Sequence, residues 1–180
     1  RLFNYGGILD DQGLSLGTIP GAFTAANLFI DTGTLGQINL IVTIAEQYWD
    51  GPNTVANNVV DGGSGIWNNT TTNWTNDTGS ANTDWQGGIA GFSTTTGTVT
   101  LGENISSLGL HYEAGAGPYT IVTGTHVLTV GGSVVNTSGT TQSLQVQANG
   151  QAHFINSASA GNLEITTNLG GPSSGQLIFE

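Results

Sequence analysis

Short alternating runs of apolar and polar residues constrain this chain more than anything else in it. In the second half they are GTVTLG (97–102), YTIVTG (119–124), HVLTVGG (126–132), QSLQVQA (142–148), AHFIN (152–156), NLEITT (162–167) and QLIFE (176–180). Alternation with period two is the mark of a strand with one buried face. Clusters of Gly, Asn or Ser separate the runs, and no segment carries a helical stripe. The expected fold class is therefore all-β. LTV (128–130), LQV (144–146) and LEI (163–165) recur at intervals of 16 and 19 residues. A loose period of about 20 suits one coil of a parallel β-helix, three short strands and three turns stacked on the next coil. An antiparallel sandwich also supplies many short strands. Runs of about five residues, and the want of Asn-Gly or Asp-Gly turns between long strands, favour the β-helix.

The first 47 residues continue the pattern. LFNYGG, GLSLGTI, NLFIDT and GQINLIVTI read as strands, with a turn at Pro20-Gly21. INLIVTIA (38–45) is the most apolar run and is expected to be buried. Residues 48–92 differ: alternation is weak, turns dominate, and all four tryptophans (Trp49, Trp67, Trp74, Trp85) stand there among Gly, Asn, Ser and Thr. A polar excursion of about 40 residues inside a compact domain is unusual and must be pinned by something. Two readings of the indoles compete. They anchor the loop onto the solenoid by burial, or they stay exposed and stack on sugar rings, which requires at least two coplanar exposed faces. The expected organisation is one module over 1–180, with β coils at 1–47, a Trp/Gly/Asn-rich excursion at 48–92 and β coils at 93–180.

Composition narrows the function. Gly, Thr, Asn and Ser make up 85 of the 180 residues, charged residues only 7%, and there is no Cys, Met or Lys. Low charge and patterned apolar residues argue against a disordered chain. Net charge is −11 and Arg1 is the only Lys or Arg, which disfavours nucleic acid and anionic membrane surfaces as partners. Without Cys, thiol, disulfide and zinc-cluster chemistry are excluded. No run approaches the roughly 20 apolar residues of a membrane-spanning helix. A chain lacking Met and starting at Arg1 reads as a processed form or a piece of something longer. With one trypsin site it suits life outside the cell.

Catalytic patterns are sparse. A β-helix lyase needs a basic residue, and the one Arg is terminal. A hydrolase needs two facing carboxylates at a set separation. Asp10-Asp11, the adjacent acidic pair, reads as a turn before Gln12-Gly13. Ser64 in GGSGI does not fit a nucleophile elbow. His111, His126 and His153 flank strands and face solvent; stacked on successive coils, a pair could bind a metal. DGGSGIWNN places Trp67 where the calcium nonapeptide needs Asp, so no cofactor is expected beyond a weak calcium site, and Asp50 and Asp61 are expected to close turns by accepting backbone N–H bonds. Six Asn-x-Ser/Thr signals, at Asn68, Asn69, Asn73, Asn76, Asn104 and Asn136, are largely what this composition alone produces.

The succession YWDG, DGGSGIWNNTTTNWTN, GSANTDWQGG, AGFSTTTGTVTLGENISSLGLHY and PYTIVTGTHVLTVGG resembles the passenger-associated (autotransporter-associated β-strand) repeats of bacterial autotransporters. LFNYGGILDDQGLSLGT with FIDTGTLGQINLIV is similar to the segment that precedes such repeats. The resemblance covers most of residues 1–132. It implies a right-handed parallel β-helix (β-solenoid), displayed or secreted outside a Gram-negative cell, with a signal sequence and a membrane β-barrel outside these 180 residues. The repeat that the chain resembles does not itself specify an enzyme. With the sparse catalytic patterns, the chain reads as a structural module, a stalk, an adhesin segment or a self-assembling filament subunit, and not as an enzyme; a carbohydrate-binding module using Trp67, Trp74 or Trp85 is the alternative. Partners would be neighbouring repeats or further copies docking end to end through LFNYG and QLIFE, and host or bacterial surface glycans. At a coil rise near 4.8 Å, about eight coils would make a rod of roughly 40 Å.

Overall fold

The computed structural model describes residues 2–10, 14–15, 17, 28–42, 45–168 and 173–180. Among these there are strands, turns and bends but no helix, as the alternation requires. The chain divides into two compact units, Arg1–Ala45 and Glu46–Glu180.

The first unit holds β1 (Phe3–Asn4), β2 (Leu28–Asp31) and β3 (Gln37–Val42). Coils were expected here, but the pairing is antiparallel: Phe29 lies opposite Ile41, and Phe3 opposite Ile38. The physical reason is the connection. Residues 32–36 alone join β2 to β3, whereas a parallel return needs a dozen residues or more. Asp31 shapes this loop: its Oδ1 accepts the Gly33 N–H at 3.0 Å, and Gly36 sits at φ 76°. DTGTLG is thus a longer hairpin loop than the two-residue signals sought in the sequence. In the apolar run after it, Ile38 is buried and Asn39–Ile41 are half-buried. The Pro20-Gly21 turn, most of GLSLGTI and Asp11 lie outside the described residues; Asp10 is exposed.

The second unit is the solenoid. Its strands are β4 (Glu46–Trp49), β5 (Gly65–Trp67), β6 (Trp74–Thr75), β7 (Ile89–Phe92), β8 (Gly97–Leu101), β9 (Ile105–Ser107), β10 (Gly109–Tyr112), β11 (Tyr119–Val122), β12 (Val127–Val130), β13 (Val134–Asn136), β14 (Ser143–Val146), β15 (Gln151–Phe154), β16 (Glu164–Thr167) and β17 (Gln176–Phe179). They form three sheets in the orders β13-β10-β7-β4-β6, β16-β14-β11-β8-β5 and β17-β15-β12-β9. From β7 to β15 the chain visits them in strict rotation, and β16 and β17 then extend the second and third sheets alone. Neighbours are parallel throughout except for β6, which runs antiparallel to β4.

Register partners from β7 onward stand 20 to 25 residues apart along the chain. The similar triplets of the sequence are not equivalent positions: LTV lies in the β12 sheet, while LQV and LEI lie in another, where Leu144 pairs with Ile165. The solenoid has about four turns, about half the number expected. Two features account for the shortfall: the first 45 residues pair separately, and the first coil is oversized, since Glu46 pairs with Ile89. Residues 48–92 are therefore not set off from the coils. The end of β4, β5 and β7 are coil strands inside them.

Alternation fills the interior with ladders. One runs Val99, Ile121, Leu144 and Ile165; another Ile105, Leu128, Ala152 and Leu177; a third Ala90, Leu110 and Val134. Most of these side chains are fully buried, each contributing about 1.5–3 kcal/mol when it is as large as Val or Leu.

Candidate functional site

The first coil carries the features that set this module apart. All four indoles lie inside: Trp49, Trp67 and Trp74 are fully buried and Trp85 is 5% exposed. The ring centroids of Trp74 lie 5.2 Å from Trp49, 4.8 Å from Trp67 and 4.4 Å from Trp85, at tilted or edge-on angles. Phe92 meets Trp67 and Trp74 edge-on at 6.2 and 6.1 Å, then stacks on Tyr112 at 5.0 Å. The cluster thus passes directly into the ladders of the next coils. Trp49 Nε1 donates to the Gly63 carbonyl at 2.8 Å, and Trp85 Nε1 to the Ser106 carbonyl at 2.9 Å.

This overturns the sugar-stacking alternative. A pyranose needs an open indole face, and here the faces are covered by one another and by Phe92. No two of the four are exposed.

Polar turns hold the oversized coil closed. Asp50, fully buried, accepts the Asp61 N–H at 2.7 Å and the Asn82 amide at 2.8 Å. Asp61 accepts side-chain amides from Asn53 and Asn57, both at 2.8 Å. So Asp50 takes a backbone N–H as expected, while Asp61 takes side-chain donors. Asn73 is buried and donates to the carbonyls of Gly51 and Ile66. Gly51 sits at φ 63°, and a Cβ there would run into the Gly62 carbonyl. Ser64 accepts the Thr98 N–H at 2.9 Å, a strand-edge contact and not a nucleophile's setting.

The histidines do not stack. His111 has Gly91 and Val135 as register neighbours, and His153 has Thr129 and Ile178. His126 precedes β12 in a turn, its carbonyl accepting the Gln151 N–H. His153 Nε2 pairs with Gln151 Oε1 at 3.0 Å.

One histidine nonetheless meets carboxylates. Glu46 of β4, His111 of β10 and Glu113, one residue past the end of β10, come together, with one potential ligand atom from each all within 4.8 Å of one another. His111 Nδ1 lies 3.1 Å from Glu46 Oε1. Tyr48 beside them is pushed up to about 12 by burial first, then by the charges of Glu46, Glu113 and Asp77 and a hydrogen bond to Glu46. Burial alone raises Tyr112 beneath. His-Tyr-Glu at 111–113, running off the end of β10, has the two-residue spacing that puts His and Glu on one side, which the sequence displays; Glu46 reaches them only through coil stacking.

At the far end β16 and β17 terminate their sheets. Phe179, 59% exposed, stacks on Phe154 at 5.1 Å. A groove of about 220 Å³ lies along β14 and β16, lined by Gln145–Gln147 and Thr166–Asn168.

Over 71 residues the chain is 41% identical to the "Adhesin BmaC autotransporter" of Brucella suis biovar 1 (strain 1330). The match covers 38% of this chain and 2% of that much longer protein. No family model matches the chain, and no solved structure matches it.

Proposed function

We propose that this chain is a structural and adhesive module of a bacterial surface or secreted protein, a stalk segment with no catalytic role. The observation that carries the reading is the parallel solenoid itself: three sheets that extend coil by coil, interior ladders that run through them, and terminal strands β16 and β17 that offer ladder groups to a further coil. Repeat architectures of this kind gain stability from each neighbour interface, and edge strands left open are pairing templates. The partial likeness to an autotransporter adhesin supports placement outside the cell. Within this reading the module's partners are adjoining coils of a longer chain, or further copies docked end to end as an open filament.

Surface display is tested by labelling intact source cells with antibodies raised against the solenoid. Bright labelling without permeabilisation is expected. Labelling only after the envelope is opened would contradict the proposal.

A further inference from the structure

The outer face of the first sheet contains a donor set that neither the solenoid nor its stalk role requires. Glu46 belongs to the first coil, and His111 and Glu113 to the third. Between them in the second coil stands Gly91, register partner of both Tyr48 and His111. A Cβ on Gly91 would lie 3.0 Å from the Tyr48 ring and 3.1 Å from Glu46 Oε1. The missing side chain is thus the gap through which the Glu46 carboxylate leans across a whole coil toward His111.

The contact this creates is an ion pair whenever the imidazole is charged, but it is not aligned as a hydrogen bond. Glu46 Oε1 is buried and has no hydrogen-bond partner although His111 Nδ1 is 3.1 Å away. A buried carboxylate oxygen without a donor is costly. Among the described residues there is no Lys or Arg to neutralise Glu46, Glu113 and nearby Asp77. One imidazole nitrogen and two carboxylates are an N/O donor set suited to a divalent transition metal, zinc foremost. The spread of 4.8 Å is wider than a ligand pair around zinc at 2.0–2.2 Å bond lengths, so the third donor closes in by a rotamer change.

We propose that Glu46, His111 and Glu113 form a Zn²⁺ site that clamps the first coil to the third across Gly91. The ion satisfies Glu46 Oε1, balances the local charge and completes its shell with water. It acts where the oversized first coil joins the regular ones.

The test is calorimetric titration of the 180-residue chain with Zn²⁺, alongside His111→Ala, Glu46→Gln and, as a control on another sheet, His153→Ala. One saturable site is expected, with the unfolding midpoint rising as it fills. His111→Ala and Glu46→Gln should weaken binding by about tenfold or more, since even outer-shell changes reach that size, while His153→Ala leaves it unchanged. All three side chains face outward, and circular dichroism checks that each variant folds. Gly91→Ala, which fills the gap, should also weaken binding. Co²⁺ in place of Zn²⁺ should give visible d–d bands that change with His111→Ala. Absent wild-type binding, or binding equal in wild type and His111→Ala, would overturn the site.

Discussion

Residues 46–92 and residues 93–180 belong to one solenoid, the former supplying strands to two of its three sheets and the latter to all three, yet they fill the interior differently. The first coil packs four indoles against one another at varied angles, with Phe92 of the second coil against them. The later coils stack Val, Ile, Leu and Ala in register. Among the described residues, five of the six buried polar side-chain atoms without partners follow the same division: Trp67 Nε1, Trp74 Nε1, Asn73 Oδ1, Asn82 Oδ1 and Glu46 Oε1 lie within residues 46–92, and Tyr112 Oη lies beyond. A repeating ladder satisfies its backbone by stacking and needs only apolar fill. A coil about twice the usual length cannot stack all of its chain, so it relies on large rings to occupy volume and on Asp and Asn side chains to cap its turns. The difference teaches that the tryptophans solve a problem of volume at the start of the solenoid, not one of recognition.

The largest effect should come from the centre of the aromatic cluster. Trp74→Ala removes the ring that touches the other three indoles and should cost about 3–5 kcal/mol in chemical denaturation. Leu144→Ala, in the middle of a ladder, should cost about 2–4 kcal/mol. Leu177→Ala, at the half-buried end of its ladder, should cost about 1 kcal/mol. A Leu177→Ala cost equal to that of Trp74→Ala would break the contrast between the two ends. Gly51→Ala combines a left-handed backbone with a blocked Cβ and should cost about 1–3 kcal/mol. The same change at Gly131, where the nearest atoms to a Cβ are 3.7 Å away, should be milder.

The smallest effect is electrostatic and belongs to the first coil and its neighbour. Tyr48 is raised from 10.0 to about 12, so the folded chain holds that proton more tightly than the unfolded one. The contribution to stability is complete below about pH 10 and is lost as pH climbs toward 12 and beyond. Tyr48→Phe should flatten part of that alkaline fall in the unfolding midpoint. A change confined to the acid side would contradict the sign.

Much of the later solenoid is visible in the chain because each of its longer strands alternates cleanly. The seven runs from residue 97 onward all contain strands. β9, β10 and β13 escaped notice because three- or four-residue strands broken by Ser and Gly show too few alternations. β4, β5 and β7 were hidden by the polar turns around them. Register is not legible because short apolar triplets look alike whichever sheet they occupy, so chain similarity alone does not separate LTV of β12 from LQV of β14. Of the outer cluster, His111 and Glu113 are legible as a same-face pair. Glu46 is not, because its proximity depends on Gly91 and on a coil length that no local pattern encodes.

The central claim is that the tryptophans are the interior of the first coil. Acrylamide quenching of intrinsic fluorescence tests it most directly. Blue-shifted emission that resists quenching until the chain unfolds, and that does not respond to added oligosaccharides, is the predicted result. Red-shifted emission quenched freely in the folded state would place the indoles in solvent and contradict the account.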